Sequence, residues 1–129
     1  MNIAEASALR SEDQHCQVGA CILDESGIVI GVGYNGTIAG VAIDWADREA
    51  RRPFVLHAEA NALRYVTPWI ARGGLMACTH YPCAPCVLLA RSYGISRVVW
   101  QTAPDWDRYP AEGSQHIART TGLDLSWLP

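Results

Sequence analysis

The sequence predicts an α/β fold: a five-stranded mixed sheet layered with helices. Two observations predict it. Five short apolar or β-branched runs, bounded by Gly, Pro and polar turn residues, read as strands. After an opening hairpin, these runs alternate with helix-prone segments, which implies parallel crossovers.

Taken in order, residues 2–10 are Ala-rich and helix-prone. Gln17 to Asp24 reads as a buried strand, Glu25-Ser26-Gly27 as a turn, and Ile28 to Gly33 as the return strand. Residues 36–56 read as an irregular, charged segment. His57 to Val66 reads as a helix and Leu75 to Thr79 as a strand. Pro85 to Tyr93 reads as a helix, with Pro85 tolerated in a first turn that loses no intrahelical N–H bond. Ser96 to Gln101 is a β-branched strand. Ala111 to Thr120 is a helix closed by Thr121-Gly122, and a short strand follows at 123–127. No repeat, linker or low-complexity tract interrupts the 129 residues, so one domain spanning 1–129 is expected.

Composition narrows the function. Half of the chain is hydrophobic, yet no stretch approaches the roughly 20 apolar residues of a membrane span. The start has no basic and then apolar leader, so no signal peptide is expected. The five cysteines are odd in number and two share a C-x-x-C, which argues against a disulfide framework. Cys16, Cys21 and Cys78 are expected as buried thiols, and a reducing cytoplasm fits this usage. Net charge is −3 and all ten basic residues are Arg. The absence of Lys excludes Schiff-base chemistry on a lysine and leaves phosphate to Arg, hydroxyls or backbone amides. An acidic chain without a basic stripe argues against a long nucleic-acid footprint, though not against a single nucleotide.

The chemistry lies in a split pattern: His57-Ala58-Glu59, then Pro82-Cys83-Ala84-Pro85-Cys86. One His and two Cys can hold zinc with a fourth position open to water, the pattern of a catalytic rather than a structural site. Cys83 and Cys86 sit on one face at a helix start, where the dipole favours thiolates. His57 opens a second helix in the same way. Glu59 is not needed as a ligand and is free to move protons. The H-x-E…P-C-x-x-C pattern is that of zinc deaminases. Two other readings are a redox C-x-x-C with an unrelated His57, and a structural zinc completed by His80 or His15.

Ligands of such sheets bind beyond the carboxyl ends of the parallel strands. That edge is expected to gather Tyr34-Asn35-Gly36, Pro82-Cys83, the loop from Ala103 to Pro110 and the loop from Arg10 to Cys16. Arg10, Ser11, Arg48, Arg51, Arg52 and Arg108 lie in loops on or near it and are the candidates for holding a phosphate. Trp106 or Tyr109 could close over a base. His15, His80 and His116 read as structural or surface residues, with His80 beside the metal motif. Trp69, Trp100 and Trp127 read as core or interface aromatics.

These motifs resemble those of the deoxycytidylate (dCMP) deaminases within the cytidine deaminase superfamily. Arg10 to Ala20 is similar to that family's R-S-x-D…Q-V-G-A stretch, Gly31 to Gly36 to its G-x-G-Y-N-G loop, His57 to Ala62 to H-A-E-x-N-A, and Tyr81 to Cys86 to aromatic-P-C-x-x-C. The resemblance covers nearly the whole chain. It departs where Gln14 follows Asp13 and where Thr37-Ile38 follow Gly36. It implies a three-layer α/β/α cytidine deaminase-like fold and conversion of dCMP to dUMP and ammonia. It also implies one zinc ion held by His57, Cys83 and Cys86, with Glu59 as proton shuttle. Asn35 would bind the sugar hydroxyl, and the backbone at Ala58 would touch the base. Residues 36–56 hold no Cys or His for a further zinc. Such enzymes are generally oligomers, so at least a dimer is expected. The competing functions are deamination of another cytosine nucleotide or nucleoside, and a catalytically silent zinc-binding module. His57 stands where free-nucleoside deaminases usually carry Cys, and Glu59 argues against a silent module.

Overall fold

The β-branched and small apolar runs pair into one sheet. In the structure, a computed structural model that describes residues 1–103 and 106–129, five strands lie in the order β2-β1-β3-β4-β5. Pro104 and Asp105, in the loop expected after the fourth strand, lie outside the described residues. The strands are β1 (Gly19–Leu23), β2 (Val29–Tyr34), β3 (Leu75–His80), β4 (Arg97–Thr102) and β5 (Asp124–Trp127). β1 is antiparallel to both β2 and β3, while β3, β4 and β5 are parallel. The mixed sheet and its hairpin are those the sequence predicts.

Register sorts the side chains by face. Ala20 pairs with Gly33 and Cys78, and Ile22 with Gly31 and Met76. Together with Val98, opposite Met76, these residues form the core face. It is covered by α3 (Ala58–Leu63) and α5 (Ala84–Ser92), whose Ala58, Ala62, Leu63, Val87 and Ala90 join the same cluster. Ile22, Leu63, Met76 and Ile95 are wholly buried, and each such side chain stabilises the fold by about 1.5–3 kcal/mol. Helix α1 (Asn2–Ala8) covers the opposite face at Gly19, where any Cβ would collide with the Ala4 carbonyl. The sheet is therefore flanked by helices on both sides.

Residues 36–56 are less irregular than expected. They contain the one-turn helix α2 (Arg48–Arg51), capped by Asp47 Oδ1 accepting from Glu49 and Ala50 N–H, and a 3₁₀ turn at Arg52–Phe54. Its ends are tied together by paired backbone bonds between Gly36 and Leu56. A further short helix, α4 (Pro68–Ala71), was not expected; Thr67-Pro68 starts it, with Pro at a position where its missing N–H costs nothing. Helix α6 (Glu112–Thr121) ends at Gly122, whose φ of 73° suits a left-handed C-cap. Trp69 is 83% exposed, so it is no core residue of this chain. Cys21 and Cys78 are buried as expected, but Cys16 is only half-buried, because β1 begins at Gly19, beyond it.

Candidate active site

His57 and Cys83 are both N-cap residues with extended backbone, of α3 and α5 respectively, and Cys86 lies in the first turn of α5. Two helix N-termini with their unpaired N–H groups therefore meet at one point. His57 Nδ1 lies 3.4 Å from Cys83 Sγ and 3.4 Å from Cys86 Sγ. All three donor atoms fall within 4.8 Å of one another. Zinc bonds of about 2.3 Å to sulfur and 2.0–2.1 Å to nitrogen, at tetrahedral angles, separate such donors by about 3.5 Å. The donor set and its spacing fit one zinc ion.

The thiols carry the matching electrostatics. Hydrogen bonding from Cys86, and then from His57, holds the Cys83 thiol down at about 4. The neighbouring Cys83 sulfur and burial push the Cys86 thiol up. A divalent cation bound between the two sulfurs would favour both as thiolates. Ser114 is wholly buried, and its hydroxyl donates to the Pro82 carbonyl at 2.9 Å, so α6 braces the turn that presents Cys83.

Glu59 is 4% exposed, in the first turn of α3. Burial pushes its carboxyl upward, while His57 and its own backbone N–H draw it partly back. Its helix lies unusually close to the sheet, because a Cβ at Gly31 or Gly33 would collide with the Ala62 backbone. The glycines of the Gly31-Val32-Gly33 strand are what let Glu59 sit this deep.

These groups open into a cavity of about 360 Å³, a size typical of small-molecule sites. Its walls include His57, Ala58, Glu59 and Cys83, together with Asn35, Arg48, Arg51, Arg52, Arg108 and Tyr109. Asn35 is buried and well anchored. Its Oδ1 accepts from Val18 N–H at 2.8 Å and its Nδ2 donates to the Cys16 carbonyl at 2.9 Å. Arg108 reaches Glu49 Oε1 with Nη2 at 3.1 Å, and Glu49 also meets Arg52 Nη1 at 3.4 Å. Arg108 Nε is buried without a hydrogen-bond partner among the described residues.

The remaining candidates lie elsewhere. Arg10 is exposed and is not among the cavity-lining residues. Ser11 is buried, and its hydroxyl donates to the Asn35 carbonyl at 2.8 Å, which makes it a strut behind the wall. Trp106 packs edge-on against Tyr81, 5.0 Å between centroids, and Tyr109 rather than Trp106 lines the cavity. Arg51 is 6% exposed and bound to Asp13, which removes it from the free cations that the sequence suggested. The sequence reading gave no role to Asp13, Cys16, Val18 or Tyr81, all in the wall. Tyr81 entered only as the aromatic of the family motif, and Asp13 carries a local signal: an Asp just before a polar turn is a side-chain cap of that turn.

The model of the cytidine and deoxycytidylate deaminase zinc-binding region matches residues 1–102. The human deoxycytidylate deaminase is 30% identical over 131 residues, covering 95% of this chain and 74% of its own length. The deoxycytidylate deaminase of Mycobacterium phage D29 is 34% identical over 115 residues, covering 78% of this chain and 89% of its own. In structure, the apo dCMP deaminase of cyanophage S-TIM5 superposes with a TM-score of 0.77 at 25% identity, over 98% of this chain and 92% of that one.

Proposed function

The chain belongs to the cytidine and deoxycytidylate deaminase family, and on that premise we propose that it hydrolyses dCMP to dUMP and ammonia with one zinc ion. The observation that carries this is the meeting of the His57, Cys83 and Cys86 donors in a cavity whose wall also holds buried Glu59 and several arginines. His57 through Nδ1, and the thiolates of Cys83 and Cys86, would hold the zinc. When bound, zinc supplies a water acidified toward a pKa of ~7, ready to act at neutral pH.

Every other step belongs to the chain. The Glu59 carboxylate takes a proton from the attacking water and delivers it to N3 of cytosine; it then takes the remaining proton from the hydroxyl on C4 and gives it to the leaving amino group. The water oxygen stays on C4 as the uracil carbonyl, and the C4–N bond breaks to release ammonia. Asn35 directs its Nδ2 hydrogens to the Cys16 carbonyl at 2.9 Å and, at a longer 3.5 Å, to Asp13 Oδ2; its Oδ1 keeps one lone pair beyond the 2.8 Å bond from Val18 N–H, and that lone pair accepts from the sugar hydroxyl. The backbone at Ala58 touches the base, and Tyr109 closes the side of the cavity. Arg108 binds the phosphate: its unpartnered Nε and the Nη2 now on Glu49 form a fork suited to two phosphate oxygens.

We read residues 1–129 as a single domain, because β1 through β5 form one sheet over one core. Five free thiols suit a reducing cytoplasm. No helix among the described residues is long and apolar enough to cross a membrane. We propose a homo-oligomer of two or more copies, in which the exposed rings of Tyr65 and Trp69 are candidates for burial. The net charge of −3 argues against a long nucleic-acid footprint.

The test is ammonia release from dCMP, CMP, deoxycytidine, cytidine and dCTP by protein of known zinc content. Rapid turnover of dCMP above the others supports the assignment. Activity on none of them, with one zinc bound, removes it.

A further inference from the structure

We infer that Arg51 and Asp13 form a positioning pair that sets how the site recognises the deoxyribose. Arg51 holds the Asp13 carboxylate, and that carboxylate holds the loop that aims Asn35. The inference rests on the dCMP reading and assigns to it two residues that touch neither zinc nor base.

Arg51 Nη2 lies 2.9 Å from Asp13 Oδ2, with the side chains only 6% and 7% exposed. A buried ion pair is weak grounds for stability alone, since apolar replacements often serve as well. This pair, however, is wired to the substrate wall. Asp13 Oδ1 accepts the His15 N–H at 2.9 Å and the Cys16 N–H at 3.1 Å, fixing the turn that leads into β1. Asn35 Nδ2 donates to the Cys16 carbonyl of that same turn, and points toward Asp13 Oδ2 at a long 3.5 Å. Ser11 Oγ accepts from Asp13 N–H at 3.2 Å and donates to the Asn35 carbonyl at 2.8 Å. The amide of Asn35 is thus oriented by the turn that Asp13 organises.

The far end of the pair is anchored as well. Arg51 Nη1 donates to the Trp45 carbonyl at 2.9 Å, and its guanidinium carbon lies 5.7 Å from the Trp45 ring centroid. Trp45 Nε1 donates to Glu12 at 3.0 Å, closing the ring back to the first loop. The segment 36–56 therefore reaches the sugar end of the cavity through Arg51. Neutralised by Asp13, Arg51 is set apart from Arg108, whose Nε has no hydrogen-bond partner among the described residues. One arginine serves the sugar side and the other the phosphate.

Removal of Arg51 strands the Asp13 charge in a buried place. Its Oδ2 then draws on Asn35 Nδ2, or takes up a proton, and the amide turns from the sugar. The zinc ligands and Glu59 sit on α3 and α5 and keep their positions. The loss falls on binding that ground and transition states share, so KM rises with kcat little changed.

The experiment measures kcat and KM on dCMP and on 2′,3′-dideoxy-CMP, which lacks the sugar 3′-hydroxyl, for wild type, R51M, R51K and D13N, each with zinc content and melting temperature determined. Wild type prefers dCMP by roughly tenfold or more in kcat/KM, the scale of one buried hydrogen bond to a strongly polarised group. In R51M and D13N that preference falls toward one, through KM. R51K keeps the charge but not the fork that joins Asp13 to Trp45, and gives an intermediate preference. Folded, zinc-loaded R51M with the wild-type preference overturns the inference, as does a loss confined to kcat. Should R51M fail to fold, R51K decides: an intermediate preference supports the pair and an unchanged one overturns it. Wild-type protein inert on dCMP overturns the reading of the reaction, and this inference with it.

Discussion

Gly33 and Ala58 touch through their backbones: a Cβ on Gly33 would lie 2.5 Å from the Ala58 carbonyl oxygen. Strand β2 therefore has no room for a side chain where α3 crosses it. The residue that follows Ala58 is Glu59, so the depth of the proton shuttle is set by a missing methyl group on the sheet. Gly33→Ala is expected to lift α3 and destabilise the fold by about 2–3 kcal/mol, read in urea denaturation. Turnover should fall with it. A G33A protein as stable and active as wild type would show that α3 has slack the packing does not reveal.

Glu59→Gln removes the proton carrier while nearly preserving shape. The variant is expected to retain zinc and lose roughly 10²-fold or more in kcat, with little change in KM. Zinc analysis and steady-state kinetics on the same sample decide it. Near-normal turnover in zinc-replete E59Q would assign the proton transfers to another group.

Arg108→Met is expected to raise KM for dCMP by roughly 10- to 100-fold, the scale of a lost charge-assisted hydrogen bond. Any slower turnover of deoxycytidine, which has no phosphate, should be unaffected. Equal losses on both substrates would place Arg108 outside phosphate recognition. A KM for dCMP unmoved by the substitution would shift the role to Arg48 or Arg52, which line the same cavity.

Cys86→Ser trades a buried thiolate ligand for a hydroxyl that zinc binds poorly. The protein is expected to purify with far less than one zinc per chain and without activity. Its far-ultraviolet circular dichroism should stay close to wild type, because the core of Ile22, Met76 and Val98 does not depend on the metal. Global unfolding on loss of the zinc would mean that the ion is structural as well.

The metal constellation was legible because it is local. Two helix starts, each marked by its own residues, need only a parallel sheet to bring them to one edge, and β3 and the helices around it do so. The loops were harder. Arg51 and Arg52 are neighbours of identical chemistry, yet one is buried on Asp13 and the other exposed on Glu49. The difference is the phase of one helical turn, which no pattern in residues 36–56 announces. For Trp69, expected in the core or at an interface, α4 turns the ring outward and leaves only the second of these. Cys16, at the end of the first loop, was expected as a buried thiol, although the Asp13-capped turn delays β1 to Gly19 and leaves the thiol half-buried in the cavity wall, 4.0 Å from His80 Nε2. Asn35 was expected as a sugar ligand from the family motif alone; that it is also a buried hub was not legible, because its partners at Cys16 and Val18 come from another loop.

The most direct test of the account follows zinc and dCMP turnover together in one sample, as purified, after chelation and dialysis, and after zinc is restored. The account predicts close to one zinc per chain, stoichiometric dUMP and ammonia from dCMP, loss of both activities on chelation, and their return in proportion to the zinc taken up. Deamination that persists in metal-free protein, or zinc-loaded protein that leaves dCMP untouched, would contradict it.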